Sequence, residues 1–307
     1  MSRTPIILDC DPGHDDAIAL LLTLTSPELD LLGVTTVHGN QTLEKTTANA
    51  LRVLDLAGRP DVTVAAGAAV PLERDLTVAA HVHGESGLDG PVLPEPTREA
   101  EPDAVGHIAR WVAASPEPVT LVPTGPLTNI ARYLAEHGGS GIARIVSMGG
   151  AIAEGNMTPA AEFNIWADPE AARIVYDSGL DVTLIGLDVT HKAVTTPAIQ
   201  QRLRETGRVG EVVADLVDFF SVYHRDTYGW EGAPIHDAVA VAHVIDPTLV
   251  SVKRRNVRVE LESDLCRGRT VVDLWRRTDL PANVNVGVDL DGVRFFDLLV
   301  ERIGRLS

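Results

Sequence analysis

Covalent cross-linking contributes nothing obvious to this chain: its 307 residues include only two cysteines, Cys10 and Cys266, far apart in sequence. A disulfide framework is therefore excluded, and no charged-then-apolar leader precedes the first strand-like run at residues 6–8, so a reducing, cytoplasmic setting is expected. Basic residues are scarce as well. Lys and Arg number 26 against 43 Asp and Glu, a formal charge of −17 that repels phosphate backbones and argues against nucleic acid as a partner. The densest basic stretch, residues 253–255 with Arg258, alternates like a strand and reads as a solvated sheet face. Long apolar runs are missing too. Residues 17–24 form the longest run near the start, too short to cross a bilayer, so no membrane role is expected. Aromatic residues make up only 4% of the chain, which gives their local clustering some meaning.

What is present is enough apolar material, 45% of residues, to bury a large core, and residues 1–307 read as one domain. Short β-branched or apolar runs at residues 6–8, 31–37, 62–65, 119–122, 145–148 and 182–186 alternate with amphipathic stretches of helical length. That alternation predicts an α/β fold: an open, mostly parallel central sheet with helices on both faces. Ser115-Pro116 ends one helix, while Asp168-Pro169 and Thr196-Pro197 open two others. After residue 190 the pattern changes. Helices at 210–228 and 235–245 precede strand-like runs at 252–261, 270–274 and 284–288 and a closing helix from Asp291, so additional antiparallel strands are expected near the C-terminus.

Ligands of open α/β sheets bind beyond the carboxyl ends of the strands. Directly after the first strand stands Asp9-Cys10-Asp11-Pro12-Gly13-His14-Asp15-Asp16-Ala17, four carboxylates within eight residues. Helix capping explains one or two of them. A hard cation with oxygen ligands explains four, and Ca²⁺ accepts six to eight such ligands; the spacing of an EF-hand loop is absent.

The run resembles the N-terminal signature of the inosine-uridine-preferring nucleoside hydrolases, and the likeness continues along nearly the whole chain. It takes in Thr36-Val37-His38-Gly39-Asn40, His83-Gly84-Glu85-Ser86-Gly87-Leu88, and Pro123-Thr124-Gly125-Pro126-Leu127-Thr128-Asn129. Met148-Gly149-Gly150, Asn156, Glu162-Phe163-Asn164 and His236-Asp237-Ala238 complete it.

The resemblance implies hydrolysis of the N-glycosidic bond of ribonucleosides, with a Ca²⁺ held by Asp11, Asp16, Asp237 and the backbone carbonyl of Thr124. Asp15 is implied as the base that activates water. Asn40, Asn156, Glu162, Phe163 and Asn164 are implied around the ribose, with Met148 packed beside it, and Asp9 faces the ribose or supports the metal. His236 and His83 are the candidates for assisting the leaving base, since histidine is poised for proton transfer near neutral pH. His224 and Tyr228, in the aromatic-rich segment 219–230, are the residues expected to see the base. Relatives in this family imply a homodimer or homotetramer, and a broad or pyrimidine-favouring enzyme is the expectation. Two other readings start from the same residues. Asp9-x-Asp11 after a first strand also suits a haloacid dehalogenase-type phosphohydrolase, although Gly13 and the extra Asp15-Asp16 pair do not. A non-catalytic calcium or ribose binder is the other, with nothing in the sequence marking lost activity.

Overall fold

The computed structural model describes residues 3–306. Its elements run β1 (Thr4–Cys10), α1 (His14–Thr25), β2 (Leu29–Thr36), α2 (Leu43–Leu56), β3 (Val64–Ala66), α3 (Ala80–His83), β4 (Glu101–Pro102) and α4 (Ala104–Ala114). The middle of the chain supplies β5 (Val119–Pro123), α5 (Thr128–His137), β6 (Ile142–Met148), α6 (Phe163–Ala167), α7 (Pro169–Tyr176), β7 (Val182–Ile185) and α8 (Leu187–Thr190). Then come α9 (Pro197–Arg204), α10 (Arg208–Tyr228), α11 (His236–Ile245), β8 (Val250–Arg255), β9 (Val257–Val259), β10 (Thr270–Val272), β11 (Val284–Leu290) and α12 (Gly292–Ile303).

Nine strands form one sheet in the order β4-β3-β2-β1-β5-β6-β7-β11-β8, parallel throughout except where β8 runs antiparallel to β11 at the edge. The order reverses at β1, which pairs with β2 on one side and β5 on the other. This makes the end of β1 the topological switch point, where an open α/β sheet leaves a crevice. Apolar side chains fill both faces of the sheet: α1 and α11 belong to one core, and residues of α5 and α7 to the other. The central strands are therefore buried on both sides and read as continuous apolar runs.

Helix ends follow the sequence signals. Asp168, Thr196 and Asp291 cap α7, α9 and α12 through their side chains, and Ser115 closes α4. The tail differs from expectation in detail. The expected strand at 252–261 breaks at Asn256 into β8 and β9, because Asn283 takes over the hydrogen bonds of Val257, accepting from its N–H and donating to its carbonyl. As a result β9 pairs with β10 in a separate antiparallel ribbon, while β11 joins the main sheet parallel to β7. No helix among the described residues is long and apolar enough to cross a membrane.

Candidate active site

Two buried helices bring distant carboxylates together. α1 is apolar almost all round, with ten of its twelve residues buried, and it packs against α11, of which nine of ten residues are buried. Their N-terminal turns carry Asp15 and Asp16 on α1 and Asp237 on α11, where helix dipoles favour negative charge. Ligand atoms of these three residues lie within 4.8 Å of one another. Asp16 is held hard: it accepts hydrogen bonds from the backbone N–H groups of Asp11 and Gly13, from Thr124 Oγ1 at 2.8 Å and from Asn40 Nδ2 at 3.0 Å.

Asp11 lies beside the cluster, fully buried, with Oδ2 bound to the Asn40 N–H at 2.6 Å and Oδ1 without a protein partner. Glycines press against it. A Cβ on Gly39, whose φ is +154°, would lie 2.1 Å from Asp11 Oδ2, and one on Gly125 would lie 2.4 Å from Oδ1. Burial raises Asp11, Asp15, Asp16 and Asp237 above the usual carboxylate range, and neighbouring carboxylates add to it for Asp11, Asp15 and Asp237. A buried set of oxygen donors with an orphaned oxygen, and no cationic side chain bonded to it among the described residues, fits a hard cation.

Asp9 is placed differently from the ribose-facing expectation. Its carboxylate is fully buried, accepts from Thr35 Oγ1 at 2.6 Å and Asn129 Nδ2 at 2.8 Å, and does not line the cleft. Turned into the sheet in this way, it cannot attack a phosphate, so the dehalogenase-type reading loses its nucleophile.

Above the carboxylates opens a cleft lined by both polar and apolar side chains. Asp15, Asp237, Thr124, Asn40, Met148, Asn156, Glu162, Phe163 and Asn164 line one part of it. Asn164 Nδ2 donates to the Thr124 carbonyl at 2.7 Å and to the Met148 carbonyl at 3.3 Å, tying the ends of β5 and β6 together. Glu162 caps α6, and its two oxygens accept the N–H groups of Gly150, Asn164 and Ile165. Asn156 Oδ1 accepts from the Phe163 N–H, so the side chains expected around a sugar also hold one another. His83, His224, Tyr228 and His236 also line it, together with His81, His191, Phe220 and Tyr223.

Residues 6–297 match the family described as inosine-uridine preferring nucleoside hydrolase. The chain belongs to this family. It is 53% identical over 308 residues to the pyrimidine-specific ribonucleoside hydrolase RihA of Photobacterium profundum, covering 99% of each chain. The protein of the same name from Escherichia coli O7:K1 is 52% identical over 304 residues, with 97% and 98% covered. Among solved structures, a purine-preferring ribonucleoside hydrolase from Gardnerella vaginalis superposes with a TM-score of 0.92 at 37% identity over 99% of both chains. This nucleoside hydrolase cleaves ribonucleosides into base and ribose; its family is one of metal-dependent hydrolases, and Asp15, Asp16 and Asp237 form a buried acidic cluster that could hold an ion.

Burial disfavours the charged form of His14, His83, His224 and His236. Desolvation draws His14 and His224 down to about 4 and takes His83 and His236 well below their ordinary value. His236 Nδ1 lies 2.7 Å from the buried Thr190 hydroxyl, and His224 Nδ1 lies 2.9 Å from the Phe220 carbonyl. His191 and the completely buried His14 are functional candidates that sequence reasoning passed over. His191 follows α8 and stands edge-on to Trp230, 4.9 Å between centroids, with His236 on its other side at 5.7 Å. Only the Thr-His pattern that closes α8 hinted at it.

Proposed function

We propose that this ribonucleoside hydrolase uses calcium, favours pyrimidine nucleosides, and relies on Asp15 as its general base. The observation that carries this reading is the meeting of Asp15, Asp16 and Asp237 within 4.8 Å at the floor of the cleft. Asp11, Asp16, Asp237 and the Thr124 carbonyl would hold the ion. When bound, a divalent cation polarises water and anchors vicinal ribose hydroxyls. Pyrimidine preference is supported by the two RihA relatives at 53% and 52% identity.

Asp15 lines the cleft while Asp16 lies beneath it, which separates a group that can reach water from one that can only ligate. Burial, reinforced by Asp16, pushes Asp15 up to about 7 in the metal-free protein, and a bound cation favours its ionised form, the form that accepts a proton from water. Glu162, Asn156 and Asn164 would position the ribose, with Asn40 bracing the aspartates below it. Phe163 and Met148 shield the sugar as it gains positive charge. Asp9 supports the site through Asn129 and Thr35. At the other end His224, Tyr228 and His83 face the base. His236 assists the departing base through a hydrogen bond, since its resting state is neutral.

The reading treats the chain as one catalytic unit, supported by a sheet that takes strands from Thr4 to Leu290. It places the enzyme in the cytoplasm as a homodimer or homotetramer. A kcat/KM panel over uridine, cytidine, inosine and adenosine, with calcium and with a chelator, tests it. Pyrimidines should lead by about tenfold or more, a difference of roughly 1.4 kcal/mol, and the chelator should abolish release of reducing ribose. Equal or purine-led turnover overturns the preference, and full activity in chelator overturns the metal.

A further inference from the structure

Among the described residues, His191 is the one cleft histidine that is neither exposed nor engaged: it is half-buried, and neither ring nitrogen has a hydrogen-bond partner. Its backbone, by contrast, is firmly held. The His191 N–H donates to the Leu187 carbonyl at 2.9 Å, and just beyond it the Ile235 N–H donates to the Ala193 carbonyl at 3.0 Å and the Thr195 N–H to the Ala233 carbonyl at 2.9 Å. These bonds tie the segment after His191 to the segment that leads into α11, so the spacing between His191 and His236 is set by the main chain. Rings then follow one another away from Asp237, the chain neighbour of His236. His191 lies 5.7 Å from His236 between centroids, Trp230 4.9 Å from His191, and Tyr228 4.8 Å from Trp230. A base whose glycosidic bond is beside His236 therefore brings its far edge to His191.

The other histidines of the cleft are placed differently. His81 is exposed, His83 Nδ1 accepts from the His14 backbone N–H at 3.3 Å, and His236 Nδ1 meets the Thr190 hydroxyl. His224 Nδ1 faces the Phe220 carbonyl, which only accepts, so the neutral ring holds its hydrogen there and would lose that bond by exchanging tautomers. His191 has no such bond to lose. Burial draws it below its ordinary value, which favours the neutral ring with one N–H and one lone pair.

We propose that His191 is a specificity-determining residue that meets the C4 substituent of a pyrimidine base as either donor or acceptor, so that one cleft takes both uridine and cytidine. This rests on the reading of the enzyme as a hydrolase that favours pyrimidine nucleosides, and names the group that recognises the base. Once N1 is glycosylated, uracil presents a carbonyl oxygen at C4, an acceptor, and cytosine an amino group, a donor. A side chain fixed in one role suits one base and leaves the other with an unpaired polar group in the cleft. The unengaged imidazole serves both: one tautomer turns an N–H to the uracil oxygen, and the other turns a lone pair to the cytosine amino group. The hydrogen moves from one ring nitrogen to the other by exchange with water, and the ring stays neutral throughout.

The test is kcat/KM of the calcium-loaded full chain for uridine, cytidine and the riboside of pyrimidin-2-one, which bears only hydrogen at C4. His191→Phe keeps a ring against Trp230 and His236 but has no polar atom. It should lower kcat/KM for uridine and cytidine by about tenfold each, and for the pyrimidin-2-one riboside by about twofold or less. His191→Gln, whose amide both donates and accepts, should recover most of the loss on both natural substrates. His191→Lys, a donor only, should raise the ratio of uridine to cytidine by about tenfold, and it reads the same recognition without relying on the folding of His191→Phe. An equal loss on all three substrates in His191→Phe, a loss on only one of uridine and cytidine, or a ratio unchanged in His191→Lys overturns the proposal. Wild-type turnover separates the two levels: where uridine and cytidine are both cleaved, these outcomes overturn the role of His191 alone, whereas a wild type that cleaves neither overturns the pyrimidine reading and this role together.

Discussion

Asn129 donates its side-chain amide to Asp9 Oδ1 over 2.8 Å, although 120 positions separate the two residues. The same amide reaches the Thr36 carbonyl, and Asn129 Oδ1 accepts the Ala68 N–H, so one side chain ties the end of β1 to the end of β2 and to the segment after β3. Asp9 Oδ2 has no partner. Removing the amide would leave a buried carboxyl with only Thr35.

Asn129→Ala is therefore expected to destabilise the protein by about 2 to 4 kcal/mol, through an unsatisfied buried group and a small cavity. Urea unfolding measures the loss. The activity of the folded fraction should fall far less than for substitutions of Asp15 or Asp237, because Asp9 does not face the cleft. An inactive variant of wild-type stability would show that Asp9 contacts substrate after all.

Asp15→Asn separates proton transfer from ligation, since the amide retains an oxygen but has no basic site at neutral pH. The expected outcome is a fall in kcat of about 10² to 10⁴ with KM changed only a few-fold. Calorimetric titration should still detect calcium binding. Unchanged kcat removes Asp15 from the role of base.

Stability in the absence of metal should depend on pH in a way that bound metal largely removes. Asp9 and Asp15 are raised from 3.8 to about 7 by burial, so the folded metal-free protein retains protons that the unfolded chain has released between about pH 4 and 7. Stability therefore falls as pH rises through that window. His14, His38, His224 and His243, drawn down to about 4, oppose this below the histidine value of 6.5, because there the unfolded chain binds the extra protons. Above pH 6.5 only the carboxylates remain. Melting curves from pH 6.5 to 8.5 should show Tm dropping by several °C in chelator and staying nearly level with excess calcium. Parallel curves in the two conditions would mean that the carboxylates do not share a cation.

Much of this site could be read in the sequence because its residues lie in compact motifs at strand ends. Asp15, Asp16 and Asp237 needed only the inference that two helix starts meet, and the apolar character of residues 17–24 and 238–242 made burial of both helices legible. Asp9 was left between facing the ribose and supporting the metal for a different reason. Which way a strand-end carboxylate turns depends on the partners across the sheet, here Thr35 and Asn129, and a single strand does not name them. His14 reads as an ordinary first-turn residue, since its partners lie 69 and 75 positions away. The break at Asn256 was hidden for the same reason: the side chain that diverts the strand is Asn283.

The last prediction concerns the other histidine. Thr190 Oγ1, fully buried, has His236 Nδ1 as its side-chain partner at 2.7 Å, and a hydroxyl can give or take the hydrogen there. It therefore serves His236 both before and after a proton or hydrogen bond is passed to the base, which no apolar group of the same shape can do. Thr190→Val should leave the fold nearly intact, because the volume is kept, while lowering kcat about tenfold and shifting the pH profile of kcat. Thr190→Ser should restore both. If valine reproduces the wild-type profile, the hydroxyl does no more than fill space and the orientation of His236 must come from its packing against His191 and His224.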